Sequence, residues 1–262
     1  MLPSLHLRSE LLRLVIPVGS MMLIACDATG PGTLRPVSLS VMTKPAGVSA
    51  DVIVGTGPNS IRITKVEFVL AETELSQAGT CSSPPANDDD CNELELDPLL
   101  VDLPLDVSPP NKVLDALVPP GNYTRLEAEL HAVESDEGEE GAAAFLAAHP
   151  EWSGMSVRVT GVYTDASGTP HDFTFTSGVD AEIEMAFSSP VTVDATTQNL
   201  TIVVDVASWF TDAAGAAIDP TNSANADAIG ANIRSSFQAF EDNDHDGVDD
   251  EEEGESEDTP GR

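Results

Sequence analysis

Apolar and polar residues alternate one by one in many short segments of this chain. The clearest example begins after the turn signal Pro119-Pro120-Gly121-Asn122, where Leu126, Ala128, Leu130 and Ala132 alternate with charged residues. Successive side chains of a β-strand point to opposite faces, so such a segment offers one face to a core and the other to solvent. Similar segments lie within residues 37–41, 61–70, 94–105, 157–163, 173–175, 181–187 and 200–206. Strands of this number and length predict a mainly β fold, an antiparallel β-sandwich, with a β-barrel as the alternative left open.

Two segments break the alternation and predict helices. The alanine-rich segment Glu139–His149 ends before Pro150, which favours a short helix inserted between strands. Residues Ser223–Phe240 carry apolar residues at helical spacing and predict a C-terminal amphipathic helix that packs on the sandwich. Its apolar stripe is expected to consist of Ile229, Ile233, Phe237 and Phe240.

The charge balance argues against polyanionic partners. The chain has 45 Asp plus Glu against 11 Lys plus Arg, a formal net charge of -34. Such a surface repels phosphate backbones and anionic lipid headgroups, so we expect no nucleic-acid partner and no direct binding to a bare membrane.

The first 25 residues have the layout of an export signal. Arg8 and Arg13 precede an apolar run from Leu14 to Ile24, about half the roughly 20 residues that a spanning helix needs. The run ends in Leu23-Ile24-Ala25-Cys26, which resembles the lipobox of bacterial lipoproteins. That resemblance implies cleavage after Ala25, acylation of Cys26, and a lipid-anchored place in the bacterial cell envelope, periplasmic or at the cell surface. An ordinary secretory signal with an incidental cysteine is the alternative.

The other two cysteines predict a disulfide bond. Three cysteines cannot all form disulfide bonds within one chain, so one of them needs another role. Acylation of Cys26 would leave Cys81 and Cys91 as a pair in an oxidising compartment. The residues between these two cysteines have the composition of a loop, so the bond would close a hairpin.

The segment from Asp242 to Glu253 contains the one chemical motif of the chain. It matches D-x-[DN]-x-[DN]-G-x5-E, in which oxygen atoms at alternating positions converge on one hard cation while a glycine allows a sharp turn. The expected Ca²⁺ ligands are Asp242, Asp244, Asp246, the carbonyl of Val248, and Asp250 or Glu253.

Two families carry loops of this kind. An EF-hand has an apolar residue after the seventh loop position and an exiting helix, whereas this chain has Asp249 and a charged segment that ends in Pro and Gly. The spacing D-x-D-x-D-G-x-x-D therefore resembles the calcium loops of thrombospondin type 3 repeats, present here as one copy. The resemblance implies Ca²⁺ binding at roughly 0.1 to 1 mM. An acidic tail that matches by composition alone is the alternative.

The resulting organisation is a signal peptide (1–25), a tether (26–35), a β-sandwich (36–210), a C-terminal helix region (211–240) and an acidic tail (241–262). An export cysteine followed by one β-rich domain resembles uncharacterised single-domain bacterial lipoproteins. This resemblance implies a fold and does not indicate an activity. Trp152 and Trp209 are expected to pack in the core or at a sheet edge rather than against a glycan.

The chain contains none of the common catalytic motifs, which favours a non-enzymatic module that binds a protein or glycan ligand or supports the envelope. Two other functions stay open: an extracytoplasmic hydrolase that uses loop carboxylates, and a calcium-dependent adhesion or assembly protein.

Overall fold

A computed structural model of the chain describes residues 34–44, 51–77, 94–106, 109–134, 141–193 and 198–250. The described residues form thirteen strands and three short α-helices, so the fold is mainly β, as predicted. The strands are β1 (Arg35–Thr43), β2 (Val52–Val54), β3 (Ser60–Leu70), β4 (Glu72–Gln77), β5 (Leu94–Leu96), β6 (Leu99–Leu103), β7 (Asn111–Val118), β8 (Gly121–Leu130), β9 (Val157–Thr164), β10 (Pro170–Ser177), β11 (Ala181–Val193), β12 (Gln198–Val204) and β13 (Phe237–Glu241). The helices are α1 (Ala142–Ala148), α2 (Val206–Trp209) and α3 (Ala226–Arg234).

The described strands form three sheets. Sheet A has the order β13-β12-β1-β7, sheet B the order β10-β9-β3-β2 with β6 also paired to β3, and sheet C the order β11-β8-β4-β5. All of these pairings are antiparallel except one: β1 and β12 run parallel, with Leu39 opposite Leu200. Strands so far apart in sequence need no hairpin between them, so they can pair in either direction.

Sheets B and C are connected by two pairs of successive strands, β3 with β4 and β5 with β6. Thr73 pairs with Leu96 between β4 and β5, and Leu70 pairs with Leu99 between β3 and β6. These two pairs are three residues apart on each strand, so the same pairing register holds on both sides of Ala71. The two sheets are therefore joined along a common strand pair.

The main core lies between sheet A and the joined sheets B and C. Alternating residues of β1 and β12, such as Val41 and Ile202, point into it and are almost completely buried. Phe68 of β3 meets Phe237 of β13 edge to face, with ring centroids 5.6 Å apart. This is the packing of a sandwich, in which each strand offers one face to a shared apolar layer.

A second, smaller core covers the outer face of sheet B. Helix α1 and a 3-10 turn at Pro150–Trp152 pack Phe145 and Trp152 against Val69 of β3. The inserted helix is thus present and ends before Pro150, as predicted. Trp152 and Trp209 are both fully buried, so both lie in the core, one of the two places predicted for them.

The C-terminal helix is shorter than the predicted span. Helix α3 ends at Arg234, and Ile229 and Ile233 are fully buried on its inner side. Phe237 and Phe240 belong to β13, so the prediction that the helical stripe continues through them is wrong. Strand β13 pairs with β12 and covers what would otherwise be an open sheet edge, a tertiary requirement that outweighs the helical spacing. The longest described helix has nine residues, and no described helix could cross a membrane.

Candidate metal centre

The segment Asp242–Asp250 folds back onto the outer face of sheet A. The Asp242 backbone N–H donates to the Asn199 carbonyl (3.0 Å) and so extends the pairing of β12 and β13 by one residue. The chain then reverses through His245 and Gly247, whose φ angles are 61° and 86°. This left-handed conformation is the one that glycine adopts at no steric cost.

The loop is packed against β1 at Gly247. A Cβ atom on Gly247 would lie 2.9 Å from Sδ of Met42, which is too close for an ordinary contact. The absence of a side chain at this position therefore lets the loop backbone lie directly on the sheet.

Three acidic residues of the loop converge. One carboxylate oxygen from each of Asp242, Asp244 and Asp250 lies within 4.8 Å of the other two. Two ligands at about 2.4 Å from a calcium ion are separated by at most about 4.8 Å, so the three oxygen atoms are close enough to share one ion. The residues present therefore fit a hard cation.

Asp242 is the buried member of this triad. Its exposed fraction is 0 %, whereas Asp244 is exposed and Asp250 is half-buried. Its Oδ1 accepts the Asp246 backbone N–H (3.0 Å) and its Oδ2 accepts the Thr201 hydroxyl (2.8 Å). Both donors are neutral, and no Lys, Arg or His of the described residues forms an ion pair with it. Buried charges in proteins are usually paired with an opposite charge or bound to a metal ion, so a cation in the triad would supply the positive partner that the described residues do not.

Behind Asp242 lies a row of buried polar side chains on the outer face of sheet A. Ser40, Asn199 and Thr201 are between 0 % and 1 % exposed. The alternation along β1 and β12 assigns these residues to a solvent face, so the sequence pattern does not indicate their part in the site. Nothing in the local pattern indicates that a distant loop covers that face.

The predicted ligands fall into three groups. The triad contains Asp242, Asp244 and Asp250. Asp246 does not converge with these three residues. Its Oδ1 accepts the Val248 N–H (2.8 Å), a bond that closes a turn within the loop. The Val248 side chain is exposed, and Glu253 lies outside the described residues, as do Cys26, Cys81 and Cys91.

Comparisons of the chain with protein-family models, curated proteins and solved structures found no match. The site must therefore be interpreted from its own geometry.

A second acidic surface lies on sheet C, away from the loop. In the backbone register, Glu72 and Glu129 are paired, as are Glu74 and Glu127. These four side chains line a shallow depression. Like charges directly opposite on a sheet repel each other, and Arg125 offsets part of this charge through an ion pair with Glu127 (3.0 Å).

Among the described residues, the most buried charge outside the candidate metal centre is Glu67 on β3, which is 7 % exposed. It accepts hydrogen bonds from Arg158 (2.9 Å) and Lys65 (2.8 Å), and the Arg158 guanidinium lies 4.7 Å from the centre of the Trp152 ring. Burial by itself would raise the pKa of Glu67, but the two cationic hydrogen-bond donors outweigh it and the pKa is lowered. These contacts connect sheet B to the smaller core, and the Glu67 carboxylate has its hydrogen-bond donors within the protein.

Proposed function

We propose that the chain is an exported, lipid-anchored, non-enzymatic module of the bacterial cell envelope, whose C-terminal loop binds Ca²⁺. The observation that carries the calcium part is the convergence of Asp242, Asp244 and Asp250 around a buried carboxylate with no basic partner. The anchor is supported by the sequence Leu23-Ile24-Ala25-Cys26.

In this proposal the ion neutralises part of the triad and fixes the chain end to sheet A. Ca²⁺ suits the site because it accepts irregular oxygen coordination, including carboxylates and backbone carbonyls. A module outside the cytoplasm meets calcium near the roughly 0.1 to 1 mM level at which such sites fill. The loaded loop then leaves the other loops of the sandwich available for a protein or glycan ligand.

The test is a calorimetric titration of the metal-stripped mature protein with CaCl₂. We expect a dissociation constant of roughly 0.1 to 1 mM. Asp244→Asn should weaken binding by about tenfold or more because affinity follows the number of charged ligands. Asp244 is exposed, so this change leaves the core intact. Asp249→Asn, in the same loop but outside the triad, is the matched control and should bind like the parent. No heat from the parent at several millimolar Ca²⁺ would refute the calcium part.

The anchor has its own test. Mass spectrometry of the protein from its native membrane should show a chain that begins at an acylated Cys26 and contains a Cys81–Cys91 bond. An intact Met1, or free thiols at Cys81 and Cys91, would contradict the proposed location.

Within the described part of the chain, the depression lined by Glu72, Glu74, Glu127 and Glu129 bears on the hydrolase alternative. A hydrolase of this type needs one carboxyl group kept protonated by apolar surroundings. The residues that line this depression are four carboxylates, and Arg125 lies 3.0 Å from Glu127, so the lining contains charged groups and no apolar side chain. The binding module is therefore the better-supported proposal.

A further inference from the structure

We infer that Ser40, Asn199 and Thr201 are positioning residues of the calcium site, so that the single loop is a complete site only when it is docked on sheet A. This inference rests on the proposed calcium function. It explains how a single copy of the loop can bind, because strands β1 and β12 hold the loop in place.

The three residues form a directional chain of hydrogen bonds that ends at Asp242. The Ser40 hydroxyl donates to Asn199 Oδ1 (2.8 Å), and Asn199 Nδ2 donates to Thr201 Oγ1 (3.1 Å). A hydroxyl has one proton, and Thr201 donates it to Asp242 Oδ2 (2.8 Å). Each bond fixes the orientation of the next group, so the carboxylate is held in one rotamer.

Asn199 also holds the loop backbone. Its carbonyl accepts the Asp242 N–H (3.0 Å), its Nδ2 donates to the Asp242 carbonyl (2.8 Å), and its own backbone N–H donates to Asn243 Oδ1 (3.1 Å). Three contacts between one strand residue and two successive loop residues set the depth at which the loop lies on β12.

This placement matters for affinity because an ordered site loses less entropy when the ion binds. Residues that hydrogen-bond a metal ligand typically change metal affinity by about 10- to 100-fold when they are removed. All three side chains are buried together with Asp242, so water cannot replace the missing donor without opening the contact.

The experiment is a calcium titration of four variants of the metal-stripped mature protein, purified in detergent. Thr201→Val keeps the shape of the side chain and removes the donor, and we expect it to weaken Ca²⁺ binding by about 10- to 100-fold. Thr201→Ser keeps the hydroxyl and should bind close to the parent. Thr192→Val is the matched control, since it removes an exposed strand hydroxyl that bonds Asn122 elsewhere.

The fourth variant, Ser40→Ala, changes a side chain that bonds no triad residue and should weaken binding in the same direction. It decides the question if Thr201→Val does not fold. A purely structural role would lower thermal stability equally with calcium and with chelator and leave the affinity unchanged. If the parent binds Ca²⁺ and both Thr201→Val and Ser40→Ala bind as tightly, the inference is wrong and the proposed function stands. If the parent does not bind, the proposed function itself fails.

Discussion

The close contact between Gly247 and Met42 allows a quantitative test of loop docking. Gly247→Ala puts a residue with a Cβ atom in the left-handed backbone conformation, which costs about 1 to 2 kcal/mol of stability. The new methyl group would also lie 2.9 Å from Met42 Sδ. Overpacking in a filled site costs about 1 to 3 kcal/mol, and the lower end applies here because a thioether can shift. The expected total is about 2 to 3 kcal/mol of unfolding free energy.

Gly215→Ala is the matched control, since Gly215 has a similar φ of 81° and open space where the Cβ would lie. It should lose about 1 to 2 kcal/mol in urea unfolding of the mature protein with Ca²⁺ present. A double-mutant cycle of Gly247→Ala with Met42→Ala should show that the pair costs about 1 kcal/mol less than the sum, because Met42→Ala removes the overlap. Equal losses for the two glycine variants, together with strict additivity in the cycle, would show that the loop does not lie on Met42.

Two further predictions concern the charged groups of sheets B and C. Glu67→Gln should lower stability at pH 7 by about 1.5 to 3 kcal/mol, because it weakens two charge-assisted hydrogen bonds. The folded-state pKa of Glu67 is lowered, so this contribution is complete above the unfolded value of about 4.3 and is lost as pH falls through the folded value. Unfolding curves of parent and variant should converge in acid, and a gap independent of pH would contradict this. Glu72→Gln should raise stability by about 0.2 to 1 kcal/mol, since it removes a charge opposite Glu129. The gain should shrink in roughly 1 M NaCl, and a gain that is absent at low salt would count against the repulsion.

The strand pattern was predictable because burial in a sandwich repeats every two residues. Leu126, Ala128 and Leu130 are fully buried, as their alternation requires. The register was not predictable, because the parallel pairing of β1 with β12 depends on contacts between distant parts of the chain. For the same reason the apolar spacing predicts a helix at Phe237, although the edge of β12 and the Phe68 ring place this residue in a strand.

The residues of the candidate metal centre were predictable in part. Asp242, Asp244 and Asp250 follow from spacing within one short loop, which local geometry determines. Asn199 and Thr201 could not be found in this way, since they lie more than 40 residues away on a strand whose polar face is covered only in the folded protein. Residues that orient a ligand from another element leave no local sequence signal.

The central claim is that a cation bound by the C-terminal loop lies on the outer face of sheet A. A crystal structure of the mature protein grown with millimolar CaCl₂, with anomalous data to locate calcium, tests this most directly. We expect one ion at about 2.3 to 2.6 Å from carboxylate oxygens of Asp242, Asp244 and Asp250, with the Thr201–Asp242 hydrogen bond retained. A loop that lies away from β12, or that stays on the sheet without an ion at that calcium concentration, would contradict the account.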